Sequence, residues 1–312
     1  MTQKFSFWFT LSLWGISLVI ATIALTKGTS SRQLSSSVLT GRIAIVEIFG
    51  PIVYESENTT LPGIRQGGVL SWIEELEEAA NDPTTAAVVL RINSPGGTIG
   101  ATQELHAAIK RLREKGKVVV ASFGDIAASG GYYIATACHA IVSLPGTLTG
   151  SIGVIIQGYQ YDELMRKLGI KATVFKSGSN KDILAGYREM TTEEKAILTT
   201  LVKNTYEQFL QAIVEGRDIS RNELLPLADG RIFTGEQALR VKLVDKLGSF
   251  YDAIALAKDM AKLPASAPIY YTSEEKLTLR RLLRRLSFHS PNILPNNLSE
   301  FTQTKLWYYS SF

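Results

Sequence analysis

The chain has 312 residues, 45% hydrophobic and 20% charged, with a formal net charge of +4, which fits one large domain with appendages or two smaller ones and excludes a disordered or polytopic membrane protein. One cysteine, Cys138, and three histidines, His106, His139 and His289, exclude a disulfide scaffold and leave too few ligands for a zinc cluster. From Lys276 to Phe312 there are six basic residues and one acid, Glu300, so the positive charge belongs to the tail and not to a nucleic-acid-binding core.

In chain order, Phe5 to Thr26 is an uncharged run between Lys4 and Lys27, long enough to span a bilayer. The small-x-small candidate Thr22-Ile23-Ala24 lies inside the run rather than after it, so residues 1–27 are expected to be an uncleaved anchor. The flanking charges, Lys4 against Lys27 and Arg32, do not orient it. Residues 28–40, rich in Ser and Thr, are the expected linker.

Residues 41–263 alternate β-rich and helical runs. Strands are expected at Arg42–Ile48, Ala86–Ile92, Lys117–Phe123, His139–Leu144, Ile152–Ile156 and Lys171–Lys176. Helices are expected at Val69–Ala80, Thr98–Lys115, Tyr132–Ala137 and Tyr161–Leu168. The strand cores are apolar on both faces, as in a largely parallel sheet, so the class is α/β with repeated βα units. Beyond them, Thr191-x-x-Glu194, Ser220-x-x-Glu223 and Thr234-x-x-Gln237 are capping boxes that open a long helix and two short ones. In the tail, 264–312, Leu277 to Leu286 sets paired Leu and paired Arg on opposite helical faces. That pattern suits an anionic membrane surface, a partner groove or a solvated helix. Trp307-Tyr308-Tyr309 is an aromatic cluster with no assigned role.

In parallel α/β sheets the chemistry gathers in loops at the carboxyl ends of strands. Asn93-Ser94-Pro95-Gly96-Gly97 follows one strand, and its glycines leave backbone N–H groups uncovered for an anion or oxyanion; a plain β–α turn is the other use of such a run. Gly124-Asp125-Ile126-Ala127-Ala128-Ser129-Gly130-Gly131-Tyr132-Tyr133 follows another, with one hydroxyl among small residues: a serine nucleophile or a helix cap. Ile126, Tyr132 and Tyr133 would give a substrate groove an apolar lining. No histidine is placed as a base, which leaves a neutral lysine. Lys176 and Lys181 share the polar loop Lys176-Ser177-Gly178-Ser179-Asn180-Lys181-Asp182, and composition does not choose between them. Thr147-Leu148-Thr149-Gly150-Ser151-Ile152-Gly153 supplies further hydroxyls.

These motifs, with Arg188-Glu189-Met190-Thr191 and Ala228-Asp229-Gly230-Arg231, resemble the signal peptide peptidase A family over about Gly41 to Lys262. The resemblance implies a crotonase- or caseinolytic-protease-like core of repeated ββα units with a helical C-terminal part, behind one N-terminal transmembrane helix. It implies Ser129 as nucleophile, Lys181 as general base, Ser151 as the residue that hydrogen-bonds the lysine, and the amides of Gly96 and Gly130 as the oxyanion hole, with no metal, cofactor or nucleic acid. A single core corresponds to the short form of the family, a homo-oligomer in which Ser129 and Lys181 meet between neighbouring protomers. The implied activity is a membrane-anchored serine endopeptidase, its peptidase domain on the extracytoplasmic side, degrading cleaved signal peptides or other short unfolded apolar peptides. The alternatives are a stomatin-associated-type Ser/Lys protease cutting a membrane partner, an acyl-CoA enzyme of the crotonase superfamily, and a catalytically silent membrane scaffold.

Overall fold

The computed structural model describes residues 41–54, 68–275 and 307–309. The expected anchor, the linker, His289 and the Leu/Arg stretch of the tail lie outside the described residues. Among the described residues, no helix is long and apolar enough to cross a membrane.

The sheet is built on β1 (Arg42–Phe49), β2 (Thr85–Ser94) and β4 (Val118–Ala128). Its order is β7-β6-β4-β2-β1-β9, with β5 (Ala140–Ser143) pairing β4 and β8 (Lys246–Leu247). The outer members are β6 (Leu148–Gly150), β7 (Ile232–Thr234) and β9 (Ile269–Tyr271). Its ladders are parallel except β6–β7, as the doubly apolar strands require. Side chains of β1 alternate between two cores. Ala44, Val46 and Ile48 pack among Trp72 and Leu76 of α1 (Val69–Asn81) and Leu105 and Ile109 of α2 (Ile99–Glu114). On the other face Ile43 and Ile45 meet Ala253, Ile254 and Ala257 of α8 (Phe250–Met260). Each fully buried Ile, Leu or Val contributes about 1.5–3 kcal/mol, so helices are held on both sides of the sheet.

The expected capping boxes form. Thr191 Oγ1 accepts from Glu194 N at the start of α5 (Thr192–Gly216), and the same reciprocal bonds open α6 (Arg221–Leu224) and α7 (Gly235–Arg240). A fourth box, Ser249 with Asp252, starts α8.

Two expected strands are absent: neither Ile152–Ile156 nor Lys171–Lys176 is a strand. Gly150 and Ser151 take φ values of 81° and 50°, so the chain turns out of the sheet directly after β6. Val174 and Phe175 are 45% and 95% exposed; β propensity without a neighbouring edge to pair with builds no strand. In the opposite direction, β4 continues to Ala128 through residues expected to be loop, and Gly96–Thr98 forms the short strand β3.

Candidate active site

The far half of β4 is a bulged extension. Its register with β2 jumps from Ile92↔Phe123 to Ser94↔Ala127, and the Asn93 side chain fills the step, Oδ1 accepting from Ile126 N at 3.1 Å. A Cβ on Gly124 would lie 2.9 Å from that oxygen, so glycine is required there. Thr147 Oγ1 donates to Gly124 O at 2.6 Å and Thr149 Oγ1 to Ala127 O at 2.7 Å. Both threonines are buried, so their hydroxyls brace the strand and are not available to chemistry.

This extension ends at Ser129, which has φ 52°, ψ −116° and begins α3 (Gly130–Ala135). Such a conformation costs a non-glycine residue roughly 1–3 kcal/mol. It is held by Ser129 N donating to Gly150 O and by Ser129 O accepting from Tyr133 N, both at 2.8 Å. The side chain is buried, and among the described residues Ser129 Oγ has no hydrogen-bond partner. A buried orphan hydroxyl is costly in a purely structural role.

Gly130 sits against the glycine loop. A Cβ on it would lie 2.8 Å from Thr102 Oγ1, 3.1 Å from Gly97 N and 3.2 Å from Gly96 Cα. Gly131 presses on Ser94 O, and a Cβ on Gly97 would fall 1.9 Å from Ile52 O. The loop after β2 and the head of α3 are thus in backbone contact. Gly96 N donates a long bond, 3.2 Å, to Ser94 Oγ. Ser151 lies beside Ser129 because Ala128 pairs with Gly150. Its own amide donates to Arg231 O at 2.8 Å, and Arg231 is pinned by Asp229 at 2.6 Å. The structure therefore gathers Ser129, Gly130, Gly96 and Ser151.

Lys181 is not part of that group. It is exposed and makes no bond to Ser129. Lys176, the other candidate, is committed elsewhere: Nζ donates to Asp182 Oδ1 and to Ser179 O, each at 2.7 Å. Asp182 also accepts from Arg188 Nε at 2.9 Å and Tyr187 Oη at 2.8 Å, while Arg188 Nη1 reaches Glu194 Oε2 at 2.9 Å. The Arg188 guanidinium, then Lys176, hold the Asp182 carboxyl far below the usual range, and Arg188 draws Glu194 down to about 2. Glu194 carries both this pair and the cap of α5, so the residue after Lys181 is tied to the longest helix. Sequence reading missed this clamp, although Arg188 and the Glu194 capping box marked its ends.

Neither described histidine, His106 nor His139, bonds the Ser129 hydroxyl. His106 packs edge-on against Tyr133 and lies 3.2 Å from Thr136 Oγ1; burial lowers its pKa to about 4. His139 Nδ1 accepts from Val119 N at 3.0 Å. Burial raises the Cys138 thiol to about 12, which leaves it inert. Tyr132 and Tyr133, expected to line a groove, are core residues, with Tyr132 Oη donating to Leu243 O at 2.8 Å.

A serine on a strained strand-to-helix turn in an α/β sheet is the setting in which serine hydrolases place a nucleophile. The model of peptidase family S49 matches residues 111–264. Over 242 residues the chain is 40% identical to a provisionally named protease of Synechocystis sp., covering 77% of this chain and 82% of that one. It is 30% identical over 282 residues to a provisionally named signal peptide peptidase, SppA, of Enterococcus faecium, covering 83% and 82%. To the chloroplastic serine protease SPPA of Arabidopsis thaliana it is 34% identical over 223 residues, covering 71% of this chain and 32% of that one. The chain belongs to peptidase family S49, the signal peptide peptidase A family, and is a serine peptidase.

Proposed function

We propose that this peptidase is a membrane-anchored endopeptidase in which Ser129 is the nucleophile and Lys181, presented by a neighbouring copy of the chain, is the general base. Neutral Lys181 Nζ takes the Ser129 hydroxyl proton as Oγ attacks the scissile carbonyl. The amides of Gly96 and Gly130 receive the oxyanion, and for this Gly96 gives up its long bond to Ser94. The lysine returns the proton to the leaving amine, and water, deprotonated the same way, hydrolyses the acyl-serine. Ser151, beside Ser129 on the paired strand end, hydrogen-bonds the incoming lysine. The steps call for neither metal nor cofactor.

The observation that carries this reading is the buried Ser129 hydroxyl, without a hydrogen-bond partner among the described residues and followed by Gly130, whose backbone packs against Gly96 and Gly97. A shared site is favoured by the segment between Ser151 and Lys181, which exposes Ile155, Tyr159, Leu164, Leu168 and Phe175. Apolar exposure on that scale suits contact with a second copy. The uncharged run Phe5–Thr26 would hold the assembly at a membrane, on its extracytoplasmic side, where cleaved signal peptides and other short apolar chains are the substrates. Incubating the full chain with a fluorophosphonate probe and mapping the adduct tests the reading. The expected adduct is on Ser129 and is lost in Ser129→Ala; an adduct on another serine that survives in Ser129→Ala overturns it.

A further inference from the structure

Three buried side-chain polar atoms have no hydrogen-bond partner among the described residues: Thr102 Oγ1, Ser129 Oγ and Arg217 Nε. The last belongs to a guanidinium whose other two nitrogens both donate to Asp245, at 2.9 and 2.6 Å. The two hydroxyls both adjoin Gly130. Ser129 precedes it in the chain, and Thr102 Oγ1 stands 2.8 Å from where a Cβ on Gly130 would be. That same empty position lies 3.1 Å from Gly97 N and 3.2 Å from Gly96 Cα. Thr102 Oγ1 therefore stands at the junction of the two turns that bear the oxyanion amides. Its own helix offers it a partner that it does not take. A threonine inside a helix commonly donates to the carbonyl four residues back, and Thr199, Thr200 and Thr205 of α5 do so at 2.7, 2.9 and 3.0 Å. Thr102, fully buried in the first turn of α2, makes no such bond to Thr98 O. One turn further along α2, His106 packs edge-on against Tyr133 at 4.9 Å and lies 3.2 Å from Thr136 Oγ1. The two helices are thus held together, and Thr102 cannot draw back from Gly130.

We propose that the free Thr102 hydroxyl is a third polar group of the oxyanion site, turning its positive end toward the charge that collects on the substrate oxygen at Gly96 and Gly130. This rests on the Ser129 reading and deepens it. The two glycine N–H groups are fixed by the backbone, whereas a hydroxyl rotates about one bond and here breaks no bond to the described residues in doing so. A hydroxyl tied to Thr98 O would keep its dipole on the helix and could not answer the new charge. In a buried site such a dipole acts more strongly than in water. The unpaired hydroxyl destabilises the resting enzyme, and that strain is relieved as the tetrahedral intermediate forms.

The test uses the full chain and separates the hydroxyl from the volume of the side chain. Thr102→Val keeps the volume, Thr102→Ser keeps the hydroxyl and Thr102→Ala keeps neither. With a fluorogenic apolar peptide, Thr102→Val and Thr102→Ala are each expected to lower kcat about tenfold with KM within about twofold of native, a smaller loss than the roughly 10²–10³ of a direct oxyanion donor. Thr102→Ser is expected to keep kcat within about threefold of native. A peptide boronic acid, whose tetrahedral adduct with Ser129 carries a negative charge, should bind the Val and Ala variants about tenfold more weakly than the native chain. In urea, Thr102→Val is expected to be at least as stable as native, because it removes an unpaired buried polar group, so its loss of rate is not a loss of fold. Native kcat in Thr102→Val, a loss in Thr102→Val that Thr102→Ala does not share, or an equal loss in Thr102→Ser overturns the proposal. Failure of the Ser129 assignment appears instead in the probe mapping of the native chain, where Thr102 is unaltered.

Discussion

Gly130→Ala places a methyl group where the two glycine-bearing turns meet. The new Cβ would stand 2.8 Å from Thr102 Oγ1, 3.1 Å from Gly97 N and 3.2 Å from Gly96 Cα, closer than carbon contacts normally settle. Thr102 Oγ1 is buried and has no partner among the described residues, so its hydroxyl swings away at the loss of no hydrogen bond to them. The Gly96–Gly97 backbone is less free, because Gly96 O and Thr98 N are both bonded to Ile52 at 2.9 Å. Overpacking of this kind costs about 1–3 kcal/mol of stability. Displacing oxyanion donors costs far more in rate, about 10²–10³ in kcat. Urea unfolding and peptide hydrolysis read the two effects separately. Adding Thr102→Ala removes the shortest contact, so part of the stability is expected to return while kcat stays low. A Gly130→Ala chain destabilised as expected but with kcat within about twofold of native would show that the oxyanion does not form at these amides.

Three further outcomes follow from the lysine loop and the buried histidine. Lys176→Ala, which removes one of several partners of Asp182, is expected to leave peptide hydrolysis nearly unchanged, whereas Lys181→Ala abolishes it; the reverse would make Lys176 the base. Arg188→Gln frees Asp182 from Glu194 and is expected to lower kcat by about tenfold or more with KM little altered, because small misplacements of a catalytic group are costly. Arg188→Lys recovers part of that loss, and unchanged kcat in Arg188→Gln would mean that the clamp does not position Lys181. For His106, burial lowers the folded pKa to about 4, below the unfolded value of about 6.5. As pH falls the unfolded chain binds the proton first, so stability drops between about pH 6.5 and 4, by roughly 3 kcal/mol in all. Denaturation at pH 7 and pH 4.5 should show that His106→Gln flattens this slope; an unaltered slope would place the histidine elsewhere.

Elements whose own periodicity specifies them were legible in the sequence. The doubly apolar β1 and β2, the amphipathic α1 and α2, and the capping box of α5 formed within a residue or two of expectation. Elements decided by a partner were not. Lys171–Lys176 has strand composition but no neighbouring strand among the described residues, while Gly124–Ala128, expected as loop, becomes strand because Asn93, Thr147 and Thr149 bond it. At the site, the small-residue turn around Ser129 and the glycines after β2 stood out as local motifs, and the fold brings them into contact. The commitment of Lys176 to Asp182, six residues on in the same loop, depends on the conformation of that loop, and the burial of Tyr132 and Tyr133 on packing, neither of which composition carries.

The account turns on Ser129 meeting Lys181 across a boundary between copies, and mixing two dead variants tests that most directly. Ser129→Ala and Lys181→Ala chains are each expected to be inactive, the first without a nucleophile and the second without a base. When their subunits are allowed to exchange, some interfaces set an intact serine against an intact lysine. Hydrolysis of an apolar peptide should then return, to no more than the fraction of such interfaces. If labelled subunits demonstrably exchange and no activity returns, the two residues do not complete one site between chains, and the shared-site account is contradicted.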